Sequence, residues 1–141
     1  TIDPAAYGPG AYRLLDDIRF KRIDDIIGNL GELPHADLAG YYRAARCLFF
    51  PSAAETFGNP LIEAMAFGLP VIVPDRAYAR SVCEDAGLYY ADGDLDDAYA
   101  KLSLVMDDPG AHRALSEKSK KRFSAFPTTE QWVKRVMEIA A

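Results

Sequence analysis

Three apolar runs, CLFFP at 47–51, VIVPD at 71–75 and GLYYAD at 87–92, alternate with stretches whose apolar residues recur at helical spacing. Continuous apolar strands of this length belong in a sheet covered on both faces. Strands separated by helices run parallel, because each helix carries the chain back to the end where the last strand began. The pattern predicts an α/β fold: a doubly wound, Rossmann-like parallel sheet with helices on both faces. An earlier run, DIIGNL at 25–30, reads as a further strand with GELPHA as its exit loop, and Thr1-Ile2 as the stub of another.

Helices are expected over 12–23, over 37–46 with Leu38, Tyr41, Tyr42 and Ala45 on one side, and over 77–85. Leu95, Ala98, Leu102 and Val105 form an apolar stripe behind a capping Asp94. Asp107, Asp108 and Pro109 end that helix and open another that runs to about Ala125. Pro127 breaks the chain again. A last helix then carries Trp132, Val133, Val136 and Ile139 as a stripe, with Thr129 as its expected cap.

The 141 residues suit one domain, 1–141, without internal repeats. The chain begins at Thr1 with no signal-peptide pattern, so a trimmed piece of a longer protein is expected. A formal charge of −5 argues against a nucleic-acid partner. Cys47 and Cys83 lack metal or redox spacing and read as small core residues of a reducing, cytoplasmic compartment. No apolar run approaches the ~20 residues of a membrane span. Lys118, Lys120, Lys121 and Arg122 read as a solvated face, with peripheral contact at the inner face of an anionic membrane as the competing reading.

The segment ETFGNPLIEAMAFGLPVI, 55–72, concentrates the chemistry. Asn59 is a good N-cap, Pro60 is pre-set for the first helical turn, and Gly68 suits the helix end. The amides that open such a helix carry the positive end of its dipole and suit a diphosphate. Gly58 lets a ligand approach the backbone. In a parallel sheet this loop lies at the carboxyl ends of the strands, where ligands of doubly wound folds bind. Glu55 in the loop can accept hydrogen bonds from sugar hydroxyls, and Glu63, one turn into the helix, can reach the vicinal hydroxyls of a ribose. Alone, either acid reads as a solvated or dipole-complementing residue; with the Gly-Asn-Pro entry the binding reading wins. A glycosidase pair of carboxylates ranks last. The adjacent pairs Asp16–Asp17, Asp24–Asp25, Asp96–Asp97 and Asp107–Asp108 point apart and read as caps and solvated faces, so no metal is expected.

The stretch PSAAETFGNPLIEAMAFGLPVIVPD resembles the glutamate–seven–glutamate signature of the retaining glycosyltransferases called family 4, which have the two-domain GT-B fold. The likeness extends through GNLGELPHADLAGYYRAARCLFF before it and AYARSVCEDAGLYYADGDLDDAYAKLSLVMDDP after it, from about residue 26 to the end. The resemblance implies a carboxy-terminal donor-binding domain whose first strand–helix unit is missing. It implies a sugar transferred with retention from a UDP- or GDP-sugar to a glycan or lipid-linked acceptor, without cofactor or metal. Glu55 would be the catalytic-site glutamate that binds hydroxyls of the donor sugar, and Glu63 would bind the ribose. Phe57, Gly58, Asn59, Pro60 and Leu61 would face sugar and diphosphate, and Gly31, Glu32 and Leu33 would meet the base. The family's diphosphate-binding Arg and Lys would precede Thr1. Arg76 and Arg80 lie on the correct edge but read as solvated helix-start charges. The acceptor domain would be a missing amino-terminal partner, so the fragment alone is expected to be inactive. A non-catalytic nucleotide-binding module, or a GT-B epimerase or phosphorylase, are the competing functions.

Overall fold

The computed structural model describes residues 9–23, 25–128, 130, 131, 134, 137 and 138. The chain divides into two units, Thr1–Tyr41 and Tyr42–Ala141. In the first, helix α1 spans Pro9–Phe20 and buries Ile18. Helix α2, His35–Ala44, begins in the first unit two residues before the expected Asp37 and runs into the second.

Residues 25–30, expected as a strand, are turn and irregular chain instead. Two of their backbone donors are used locally: the amides of Ile26 and Ile27 both bond to the Ile23 carbonyl, at 3.0 and 2.9 Å. Ile26, Ile27 and Leu30 are all exposed, so neither face of the run meets a core. A strand is held by ladder partners and by packing on its faces, and among the described residues this segment has no strand beside it.

The second unit holds a three-stranded parallel sheet in the order β1 (Leu48–Phe49), β2 (Val71–Pro74), β3 (Gly87–Tyr90). Helix α3, Asn59–Ala66, crosses from β1 to β2, and α4, Ala77–Cys83, with a 3₁₀ turn at Glu84–Ala86, crosses from β2 to β3. Helices α5, Leu95–Asp107, and α6, Pro109–Ser124, follow. Every residue of the central strand is buried. Its period-two alternation divides the core: Val71 and Val73 pack with Leu61, Ala64 and Met65 of α3 and with Ala79 and Val82 of α4. Ile72 faces the other way, into Tyr90, Ala98 and Val105, with Leu102 and Leu115 against them. Helices therefore cover both faces, as the apolar runs predict.

Strand β1 departs from expectation. Only two residues of 47–51 are regular, Leu48 is half-buried and Phe49 is 39% exposed. Among the described residues β1 has a ladder partner on one side alone, which leaves its other side uncovered by the sheet. The apolar stripe of α5 is also shorter than read: Leu95 sits 83% exposed at the first turn.

Helix ends follow their chemistry closely. Asp94 Oδ1 accepts the Asp97 amide at 3.0 Å, and Asp108 Oδ1 accepts those of Gly110 and Ala111 at 2.7 and 3.0 Å. Thr128 and Gln131 exchange reciprocal bonds, amide to side chain, at 2.9 and 3.2 Å. Thr129, the expected cap, and Trp132, Val133, Val136 and Ile139 lie outside the described residues, as do Asp24 and the Thr1-Ile2 stub. At the end of α3 the Leu69 amide bonds to Ala64 O at 3.0 Å and the Gly68 amide to Met65 O at 2.9 Å, the paired bonds of a Schellman turn. That turn sets Gly68 at φ +69. A Cβ there would also stand 2.7 Å from Lys120 Cε. Replacing Gly68 with Ala should lower stability by about 1–2 kcal/mol through the left-handed backbone, with Asn costing less. Urea unfolding of the two variants against wild type checks it, the expected sign being a lower midpoint at unchanged slope.

Candidate functional site

Parallel topology puts three loops at the carboxyl edge of the sheet in the second unit: 50–58 after β1, 75–76 after β2 and 91–94 after β3. The first of these carries Glu55. Its Oε1 lies 2.9 Å from Ser52 Oγ, which also stands 3.1 Å from Ala54 O. One hydroxyl hydrogen serves one acceptor at a time, and the charged carboxylate is the stronger. Tyr78, on α4, donates its hydroxyl to Ser52 O at 2.7 Å and so straps the loop to the next crossover helix. Burial, first, and then the Glu55 charge push the Tyr78 hydroxyl up from its ordinary pKa, which keeps it a donor.

The loop ends in the entry to α3. Gly58 is the residue before the helix, at φ +76, and no side chain caps the helix. Asn59, the expected cap, is the first residue of the helix and exposed. The left-handed turn at Gly58 takes the place of the side-chain cap. Gly58 is buried: a Cβ would meet Leu61 Cδ1 at 3.1 Å and Tyr78 Cδ2 at 3.7 Å. The Leu61 side chain is core, and its amide donates to Gly58 O at 3.0 Å. Pro60 has no N–H to give. The amides left at the helix entry are therefore those of the buried Gly58 and the exposed Asn59, fewer than the motif alone suggests. Phe57, 56% exposed, projects beside them.

Glu63 is half-buried on α3, and its Oε2 accepts the hydroxyl of Tyr42 at 2.8 Å. Both acids of the spaced pair are thus held by neutral hydroxyls, which orient a carboxylate without cancelling its charge. An apolar hollow of about 630 Å³ flanks the same helix. Phe57, Ile62, Phe123, Phe126 and Pro127 line it with two polar residues, and neither glutamate is among its walls.

Arg76 and Arg80, expected as solvated charges, are both paired. Arg76 meets Asp92 across the edge, and its Nε is buried with no partner. Arg80 grips Asp75 through Nε and one terminal nitrogen, each at 2.7 Å, with its guanidinium 3.7 Å from the Tyr89 ring centre. The loop expected to meet a base, Gly31 to Leu33, belongs to the first unit. There Gly31 takes φ +63 and its amide bonds to Asn29 Oδ1 at 3.2 Å, with Glu32 exposed and Leu33 half-buried. Among the described residues no three His, Cys, Asp or Glu side chains converge as metal ligands, and no helix is long and apolar enough to cross a membrane. The partners that spacing missed are Tyr42, Ser52 and Tyr78. Ser52, three residues before Glu55, was within reach of a local reading; the tyrosines act across 21 and 26 residues.

Residues 6–122 match the model of the glycosyl transferases group 1 family. The chain belongs to that family. Among its relatives are the O-antigen chain mannosyltransferase B of Escherichia coli, 38% identical over 79 residues (56% of this chain and 21% of that protein), and the alpha-monoglucosyldiacylglycerol synthase of Streptococcus pneumoniae, 31% identical over 117 residues (81% and 26%). This chain spans about a quarter of such relatives. Its fold superposes on sucrose-phosphate synthase of Thermosynechococcus elongatus with a TM-score of 0.80 and 27% identity, covering 95% of this chain and 36% of that one. The open parallel sheet is that of the GT-B type expected from the sequence.

One electrostatic prediction follows from the edge. The Arg80 hydrogen bond, first, and its charge hold the Asp75 carboxyl below the usual range. A folded pKa below the unfolded one contributes stability above the unfolded value, and that contribution is lost as pH falls through the folded one. A carboxyl-carbon NMR titration should place the Asp75 midpoint below about 3.9, and Arg80→Gln should raise it toward that value.

Proposed function

We propose that this chain is the donor-binding part of a retaining, family 4 glycosyltransferase that passes a hexosyl group from a UDP- or GDP-sugar to a glycan or lipid-linked acceptor. The observation that carries the reading is the group 1 family match across 6–122, a range that includes two spaced acids, Glu55 before the entry of α3 and Glu63 within it. The names of the relatives, a mannosyltransferase and a glucosyldiacylglycerol synthase, favour hexoses and such acceptors.

In this reading Glu55, held by Ser52, accepts donor-sugar hydroxyls and orders the anomeric carbon for attack. The amides of Gly58 and Asn59 meet the diphosphate and stabilise its charge as it leaves, which is where preorganised donors act most strongly. Glu63 takes the ribose hydroxyls, and the base is assigned to the loop Gly31, Glu32 and Leu33 of the first unit by family resemblance alone. Phe57 and Pro60 shape the approach, and the buried Leu61 fixes the helix beneath it. No metal or cofactor takes part. An amino-terminal acceptor-binding half completes the cleft, so this fragment binds donor without turning it over. The enzyme works in the cytoplasm, and the basic end of α6 gives it a means of touching the inner face of the membrane.

Isothermal calorimetry tests the reading. Binding of a nucleoside-diphosphate sugar should persist in EDTA, and Glu63→Ala should weaken it by about tenfold or more, as the loss of charge-assisted bonds implies. Glu55→Gln should weaken the sugar-linked nucleotide but not the bare diphosphate. Equal affinity for both forms in wild type would point to a nucleotide-binding module instead.

A further inference from the structure

We propose that Tyr42 is a positioning residue for Glu63, aiming its carboxylate so that the site prefers a ribose over a 2′-deoxyribose in the bound nucleotide. The inference rests on the reading of Glu63 as the ribose acceptor and adds to it the group that makes the acceptor selective.

The geometry is specific. Tyr42 stands on α2 at the point where the second unit begins, and its hydroxyl donates to Glu63 Oε2 at 2.8 Å. The ring is not free to carry that hydroxyl elsewhere. It stacks on Phe67 with centroids 5.4 Å apart and planes 12° from parallel, and it packs against the core beneath α3. Phe67 is itself fixed as the residue closing α3, its amide shared between Glu63 O at 3.4 Å and Ala64 O at 3.1 Å. The donor is thus held on α2 by its stacking on the residue that closes α3, and the acid stands in the middle of α3 itself.

The choice of a phenol matters. A lysine or arginine in this place would neutralise the carboxylate and compete with any sugar hydroxyl. A neutral hydroxyl takes up one oxygen, sets the direction of the other, and leaves the charge. Burial, first, and then the hydrogen bond and charge of Glu63 push the Tyr42 pKa far above its ordinary value, so it donates across the whole working range. A glutamate on an open helix face samples many rotamers and must be ordered when ligand arrives. Tyr42 has ordered it beforehand, and such preorganisation appears as affinity. The remaining lone pairs then meet two vicinal hydroxyls in one geometry, and loss of either hydroxyl leaves a half-buried charged acceptor short of a partner.

The test uses the full-length protein that carries this chain, with UDP, GDP and their 2′-deoxy counterparts titrated by calorimetry. Wild type should hold one ribonucleotide about tenfold tighter than its deoxy form. Tyr42→Phe keeps the stacked ring and removes only the hydroxyl. It should weaken ribonucleotide binding about five- to tenfold while leaving the deoxy form within about twofold, so the ratio collapses. Circular dichroism and the urea midpoint establish that the variant is folded. Equal weakening of both ligands, or an unchanged ratio, overturns the role of Tyr42. Glu63→Gln separates the two layers. If it abolishes the ratio while Tyr42→Phe does not, the positioning role alone fails. If Glu63→Gln also leaves the ratio intact, the ribose reading fails and takes this inference with it.

Discussion

The sheet of the second unit depends on one strand that has no exposed side. Val71 to Pro74 are buried throughout, and alternate side chains enter two separate cores. Such a strand is stable only if helices cover both faces, and parallel neighbours require each helix to return the chain to the same edge. The consequence is directional: the turns that follow the three strands gather on one side. Loops so placed suit a functional site, because the fold leaves them free while holding their ends rigidly.

Within that arrangement the entry to α3 is the most constrained point. A left-handed Gly58 starts the helix, a proline follows, and Tyr78 closes over the loop from the next crossover. The loop cannot slide without breaking a buried contact. Two acids of like charge stand near this helix entry, Glu55 in the loop and Glu63 on the helix, and each is held in a defined direction. Here the holders are hydroxyls, which act on orientation and leave the carboxylate charge in place.

Much of this was legible in the residues. Strong local chemistry, such as Asp94 and Asp108 before their helices, Gly68 after α3 and the buried VIV run, acts over a few positions and needs no tertiary knowledge. The acids were legible as a spaced pair beside a marked helix start. What escaped was set at long range. Residues 25–30 have strand composition, yet composition forms no ladder, and local turn bonds from Ile26 and Ile27 win where no strand lies alongside. Asn59 has the chemistry of a cap, but the conformation of Gly58 decided the boundary. Tyr42 and Tyr78 reach their acceptors across the fold, and no spacing in the chain announces such pairs.

In the proposed reading a nucleoside diphosphate lies at the amides opening α3, between Glu55 and Glu63. Amide proton–nitrogen NMR spectra recorded while UDP or GDP is added test it most directly. The Gly58 and Asn59 amides should shift first and furthest, along with those of Glu55 and Glu63. Shifts confined to the apolar hollow around Phe123 and Phe126, with the Gly58 and Asn59 resonances still, would contradict it.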